Sequence, residues 1–267
     1  KVGTIFNPLR IKFRNLKPIC RKVRLRFPSR LNAMAVDPSK ISISKHHIYT
    51  PGEVVFAAGL YKVVSISQNE SGILEISETS QRKSLIKHAF LLMKKALQFK
   101  EGFYIDVNNK KELRHCGLGS SSSLITAVAC AINEIYGKPI NDKDLLKYLA
   151  QNHGEEIDQF DNCLYPVQCI GGSAAAGIFP GGLIVLAGES CVIATMNIPP
   201  VFKVILGIPK DFSYPDPKTL MDLELANIHK FVKTGQRFGK EIAYKILHEM
   251  LPAISQGNLK KVGDVIY

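Results

Sequence analysis

Gly117-Leu118-Gly119-Ser120-Ser121-Ser122-Ser123 sets two glycines and four hydroxyls in one short run, directly ahead of an apolar stretch. Glycine lets a backbone approach a ligand closely and adopt conformations that side chains resist. If a helix starts here, its first turn presents unpaired N–H groups and the positive end of its dipole. Serine hydroxyls add donors for phosphate oxygens, and one of them, Ser121, could ligate a Mg2+ bridging those oxygens. Together these groups make an anion cradle suited to polyphosphate. The run lacks the Lys that a P-loop requires after its second glycine, and its glycine spacing is not that of a dinucleotide fingerprint. A Ser-rich helix N-cap over a tight turn has the same composition, so the residues alone leave both readings open.

Other groups able to do chemistry are scattered. Arg30 could pair bidentately with a phosphate or carboxylate, or be an exposed charge on a strand edge. Glu155 and Glu156 could supply a Mg2+ ligand, Glu156 being the one singled out, though two acids in a loop are often only solvated. His46 and His47 are adjacent, which puts them on opposite faces of a strand and makes a poor metal site. The six cysteines show no Cys-x-x-Cys pair and no zinc spacing, and read as reduced, mostly buried thiols.

The elements that position these residues follow from periodicity. Residues 22–36 begin with alternating apolar and basic positions, an edge strand stopped by Pro28. Val54–Ser67 is a second strand, with Ile73–Ser77 as its hairpin partner across Asn69–Gly72. Gln81–Phe99 carries Leu85, Ile86, Ala89, Leu92, Met93 and Ala96 at helical spacing. Phe103–Val107 reads as a strand, and the Cys116–Ser120 loop then opens a helix to about Tyr136, stopped by Gly137. Asn141 and Asp142 cap a helix over Asp144–Gln151. Residues 152–182 are expected to be irregular around a site, Leu183–Ala187 and Val201–Ile208 to be strands, Asp211–Asp216 a turn, and Leu220–Thr234 and Gly239–Ser255 two helices. Strands and helices do not strictly alternate, so the fold class is α+β.

The chain has 267 residues and a net charge of +12, of which ten positive charges and no acid lie in residues 1–36. The body is therefore nearly balanced, and the excess is a basic arm that could meet phosphate backbones or anionic lipid, or be a solvated leader. Nucleic acid is not otherwise expected, because the aromatic interleaving of an RNA module is missing. No apolar run approaches a membrane span and no secretory signal is evident, so no membrane contact and a cytoplasmic location are expected.

His115–Leu124 resembles the phosphate-binding motif of the GHMP kinases, the superfamily of galactokinase, homoserine kinase and mevalonate kinase. That motif reads Pro-x-x-x-Gly-Leu-Gly-Ser-Ser, matched by Gly117 through Ser121 and departed from at Leu113, where the family usually has Pro. Phe27-Pro-Ser-Arg-Leu31 resembles the first family motif, and Gly181-Gly182 with Leu183–Leu186 the family's Gly-Gly turn into a strand. The resemblance covers roughly residues 21–210. It implies an N-terminal α+β domain over 21–200 behind a basic leader at 1–20. A ferredoxin-like C-terminal domain would begin at 201 and be incomplete at 267, since the third family motif is not found and the chain reads as a fragment. It also implies ATP with Mg2+, held by Gly117–Ser123, and phosphoryl transfer to a small-molecule hydroxyl, with a homodimer left open.

In several family kinases an Asp before the Gly-Gly turn polarises the substrate hydroxyl. Here Ser173–Pro180 holds no acid. If the earlier pair Gly171-Gly172 is that turn, Asp161, beside Asn162, takes the catalytic place, with Asp158 also near; Asp161-Asn162 is equally a turn former. Gly171-Gly-Ser-Ala-Ala-Ala-Gly together with Pro-Ser-Arg-Leu is more similar to a non-kinase branch. That branch contains β-ribofuranosylaminobenzene 5′-phosphate synthase, which implies phosphoribosyl pyrophosphate and a benzoate as substrates. The missing Asp favours this branch, and the four-Ser loop favours an ATP-type kinase. A catalytically silent metabolite-binding relative is the third reading.

Overall fold

The computed structural model describes residues 1–40, 51–109, 113, 115–156, 163–167, 169–209, 211, 213 and 216–267. His46, His47, Asp158, Asp161 and Asn162 lie outside the described residues.

A six-stranded sheet organises the fold. Strand β1 (Lys22–Ala35) pairs antiparallel along almost the whole of β2 (Glu53–Asn69). The opposite edge of β2 is shared by β4 (Gly102–Asn108) at one end and β7 (Gly182–Ala187) at the other. Outside these lie β3 (Leu74–Ile76), next to β4, and β8 (Cys191–Asn197), next to β7. Between β4 and β7 the chain forms α2 (Ser120–Ile135), α3 (Asp142–Gln151), the small hairpin of β5 (Gly154–Glu156) and β6 (Leu164–Pro166), and α4 (Gly172–Ile178). Helix α1 (Lys83–Leu97) precedes β4, and α5 (Pro217–Lys245), a π turn at Ile246–Met250, α6 (Leu251–Ser255) and α7 (Leu259–Ile266) complete the chain.

The expected apolar stripe of α1 is buried, and Lys94 and Lys95 in its last turn complement the helix dipole. Helix α2 ends where Gly137 takes φ +77. Helix α3 is capped by Asn141, whose side chain accepts the Asp144 N–H at 3.0 Å. Helices α1 and α2 cover the inward face of β1, β2 and β4 through Phe27, Val64, Ile66, Phe103, Ile105 and Val107. At the β7 end both faces are covered. Val55, Ile184 and Leu186 meet Leu146 and the alanines of α4, while Val54, Leu183 and Val185 meet Ile246, Met250 and Ile254. Burial on both faces is why this strand is a continuous apolar run.

Several expectations are corrected. Pro28 does not stop β1: a register shift between Pro28 and Ser29 absorbs it, on a strand whose outer edge has no partner strand among the described residues. Leu74–Ile76 is not the hairpin partner of β2 but pairs parallel with β4, because the seven-pair ladder of β4 occupies that edge. Residues 152–182 contain β5, β6 and α4 rather than irregular chain. Val201–Ile208 forms no strand and is exposed, Ile205 by 94%; among the described residues no strand follows β8 to pair with it. The two expected C-terminal helices are one through Lys245, since Gly235 and Gly239 mark close approach to Ser39 and Asp37 rather than a break. The basic leader lies against the helical layer, with Val2, Ile5, Leu9, Phe13 and Leu16 packed on the main core. All six cysteines are free thiols, but Cys163 and Cys191 are exposed and the others only partly covered.

Candidate functional site

The bulge after Pro28 brings the continuing edge of β1 to the glycine loop. There Arg30 N–H donates to the Leu118 carbonyl at 3.1 Å, and its Nη1 donates to the Gly117 carbonyl at 3.0 Å. Gly117 and Gly119 hold φ of +81 and +64. Gly119 is the N-cap of α2 and brings no side chain to the helix end, so the first-turn N–H groups face the loop mouth. A Cβ at Gly119 would fall 2.0 Å from Ser173 Oγ, whereas one at Gly117 would meet nothing within 4 Å. Glycine at 119 thus lets α4 approach, and glycine at 117 borders open space.

The hydroxyls are arranged differently from a four-fold fan toward a ligand. Ser123 Oγ accepts from Lys62 Nζ at 2.5 Å and donates to the Ser120 carbonyl. Arg82 donates from Nη1 to Ser120 Oγ at 3.0 Å and from Nη2 to Ser121 Oγ at 2.5 Å. Ser121 Oγ in turn donates to Glu155 Oε2 at 2.6 Å. Arg82 Nε donates to Glu156 Oε2 at 2.7 Å, and its Nη2 lies 3.8 Å from Glu155 Oε2. His153 Nε2 is 3.1 Å from Glu155 Oε1. Burial pushes the Glu155 carboxyl up, but the bonds from His153 and Ser121 and the Arg82 charge outweigh it and hold the group below the ordinary carboxylate value.

Behind the loop, Glu53 is buried. Its Oε1 accepts the Gly172 N–H at 2.7 Å, its Oε2 accepts from Asn32 Nδ2, and Arg30 Nη2 stands 3.7 Å away. Burial raises its pKa, and Arg30 only partly offsets that.

The structure therefore gathers Arg30, Gly117–Ser123, Glu155 and Glu156 around the start of α2. Arg30 braces the loop with both backbone and side chain, and Glu156 is paired with Arg82. Sequence reasoning missed Arg82, Lys62 and Glu53. None carries a local motif: Arg82 and Lys62 reach the loop from 38 and 61 residues away in the chain, and Glu53 reaches Gly172 behind it from 119 residues away. The three alanines Ala174–Ala176 are buried in α4, with no carboxylate among Ser173–Pro180.

Residues 84–163 match the sequence family described as GHMP kinases N terminal domain, a stretch running from α1 through the loop to the start of β6. Solved structures share the fold at low identity. The mevalonate kinase of L. major in complex with R-mevalonate is 15% identical over 94% of this chain and 75% of that one, with a TM-score of 0.55. Mevalonate pyrophosphate decarboxylase from Streptococcus pyogenes gives 13%, 94% and 73%, with 0.57. Phosphomevalonate kinase from Streptococcus pneumoniae gives 14%, 92% and 77%, with 0.53. No curated protein matches the chain. The fold is α+β and GHMP-kinase-like, and residues 84–163 match that family's N-terminal domain.

Proposed function

We propose that this chain is a GHMP-type transferase that holds Mg2+-bound ATP at the N-terminus of α2 and passes a phosphoryl group to the hydroxyl of a small metabolite. The observation that carries this reading is the left-handed Gly117–Gly119 turn opening a 16-residue helix whose N-cap makes no side-chain capping bond among the described residues. Phosphoryl transfer asks mainly for positioning and charge stabilisation, which such a helix end supplies. The family match over the same segment, and kinases among the structures sharing the fold, support it.

Ser121 Oγ and Glu155 Oε2 are hard oxygen donors 2.6 Å apart at the loop, and this pair fits Mg2+. Among the described residues no three His, Cys, Asp or Glu converge; Mg2+ commonly takes only one or two carboxylates plus phosphate and water. Glu155 is better placed than Glu156, whose carboxylate is committed to Arg82. The ion would neutralise charge on the phosphate oxygens. Asp161 stays a candidate base by resemblance alone.

One observation favours a second reading, a phosphoribosyl-pyrophosphate-dependent synthase: α4 brings Ser173 beside the loop and follows it with three buried alanines, where several kinases of this superfamily would carry an acid. Thermal unfolding with Mg2+ separates the two. A ligand at a hundred times its Kd adds roughly 2.7 kcal/mol. Stabilisation by ATP but not phosphoribosyl pyrophosphate, reduced at least tenfold in affinity by Ser121→Ala, is the expected result. The reverse preference would move the assignment to the synthase, and no shift with either would overturn the polyphosphate site.

A further inference from the structure

Arg82 belongs to no motif, yet it is a buried charge at the loop, its side chain only 1% exposed. Its backbone is left-handed, φ +59 and ψ +47, at the residue before α1. A non-glycine residue held there costs on the order of 1 kcal/mol and persists only where its surroundings over-determine it. They do so here. Buried Asn109, just after β4, clamps the preceding residue from both sides, accepting the Gln81 N–H at 3.0 Å and donating to the Gln81 carbonyl at 3.1 Å. Glu156 then fixes the guanidinium through Nε, leaving the two Nη groups aimed at Ser120 and Ser121.

We infer that Arg82 is a positioning residue that makes the Mg2+ site conditional on polyphosphate, an inference that rests on the function proposed above. The guanidinium plane sets the two serine oxygens at fixed places, so Ser121 Oγ and Glu155 are pre-arranged as neighbours. The same cation also stands 3.8 Å from Glu155 Oε2, with His153 on the other carboxylate oxygen. A divalent ion arriving alone meets a carboxylate whose charge is already offset and a hydroxyl whose proton points at it. It is repelled by Arg82. An ion arriving on a polyphosphate brings its own anion, which the helix N-terminus and Arg82 both attract. The fork of Arg82 therefore admits the metal as a complex and discourages it as a free ion.

The test is Mn2+ binding to the full chain by electron paramagnetic resonance, with Mn2+ alone and with whichever of ATP and phosphoribosyl pyrophosphate stabilises the wild type. Arg82→Gln should bind Mn2+ alone about tenfold tighter than wild type and hold the Mn2+–polyphosphate complex at least tenfold more weakly; opposite signs are what a merely structural role cannot produce. Arg82→Lys keeps the charge without the fork and should leave Mn2+ alone as weak as in wild type. Glu156→Gln, which retains Arg82 but removes the charge anchoring its Nε, should lower affinity for the complex several-fold and leave the free ion weak; it decides the matter if Arg82→Gln does not fold. Wild type that binds the complex, with variants that move both affinities together or neither, would overturn the role of Arg82 alone. Wild type that binds no complex would overturn the polyphosphate site and this inference with it.

Discussion

Gly117 and Gly119 both hold left-handed backbone, but only Gly119 is also crowded, and the difference separates two functions of one loop. Alanine at 117 adds a methyl in open space and carries mainly the backbone cost, roughly 1 kcal/mol. Alanine at 119 must also displace Ser173, whose Oγ lies 2.0 Å from the new Cβ. Urea denaturation should therefore show Gly119→Ala losing roughly 2–4 kcal/mol, and its response to polyphosphate should vanish because α4 or the loop has shifted. Equal losses at the two positions would refute the close approach of α4. The glycine pair and the serines were legible in the sequence because a short motif carries its own geometry. What the serines bond was not: Lys62 and Arg82 come from elsewhere in the chain, and only folding puts them under the loop.

Among the elements, the leader and α1 are locked through one histidine. Gly3 N–H donates to His88 Nδ1 at 2.9 Å, and Nε2 stands 2.8 Å from the Asn152 carbonyl, which requires the neutral ring protonated at Nε2. Asn152 in turn accepts the Phe6 and Asn7 N–H groups. Burial lowers the His88 pKa to about 4 from the ordinary 6.5. The unfolded chain thus binds more protons between those values. The stability owed to neutral His88 is complete above about pH 6.5 and is lost as pH falls toward 4, by roughly 3 kcal/mol in all. Denaturation from pH 7 to 4 should show wild type losing about that much more stability than His88→Gln; parallel pH curves would show that His88 is not held neutral. The amphipathic stripe of α1 was legible in the sequence because helix period and burial coincide. The leader's course was not: Val2, Ile5, Leu9, Phe13 and Leu16 recur every three or four residues, yet the leader forms no helix, and they find their sites only on a formed helical layer.

For the whole molecule, the sheet joins regions that a reading along the chain separates. Residues from 246 onward share a core with Val54, Leu183 and Val185, so the C-terminal helices are part of the same packed body as the first strands. Ile254→Ala, at a fully buried position, should cost roughly 2–5 kcal/mol, while Ile205→Asp, in the exposed Val201–Ile208 segment, should stay within about 0.5 kcal/mol of wild type. A large loss at Ile205 would show that this segment is covered in solution. No described helix is long and apolar enough to cross a membrane.

The sequence by itself determined the α+β class, most helices and the place of the phosphate-loop motif, because these depend on periodicity, capping and adjacent glycines. Tertiary structure decided strand partners, the course of the leader and the network behind the loop. A strand's period shows which face is apolar but not which edge it joins. The Arg30, Glu53 and Arg82 contacts likewise depend on chain segments far apart in sequence meeting where β1, β2 and α1 pass beneath the start of α2.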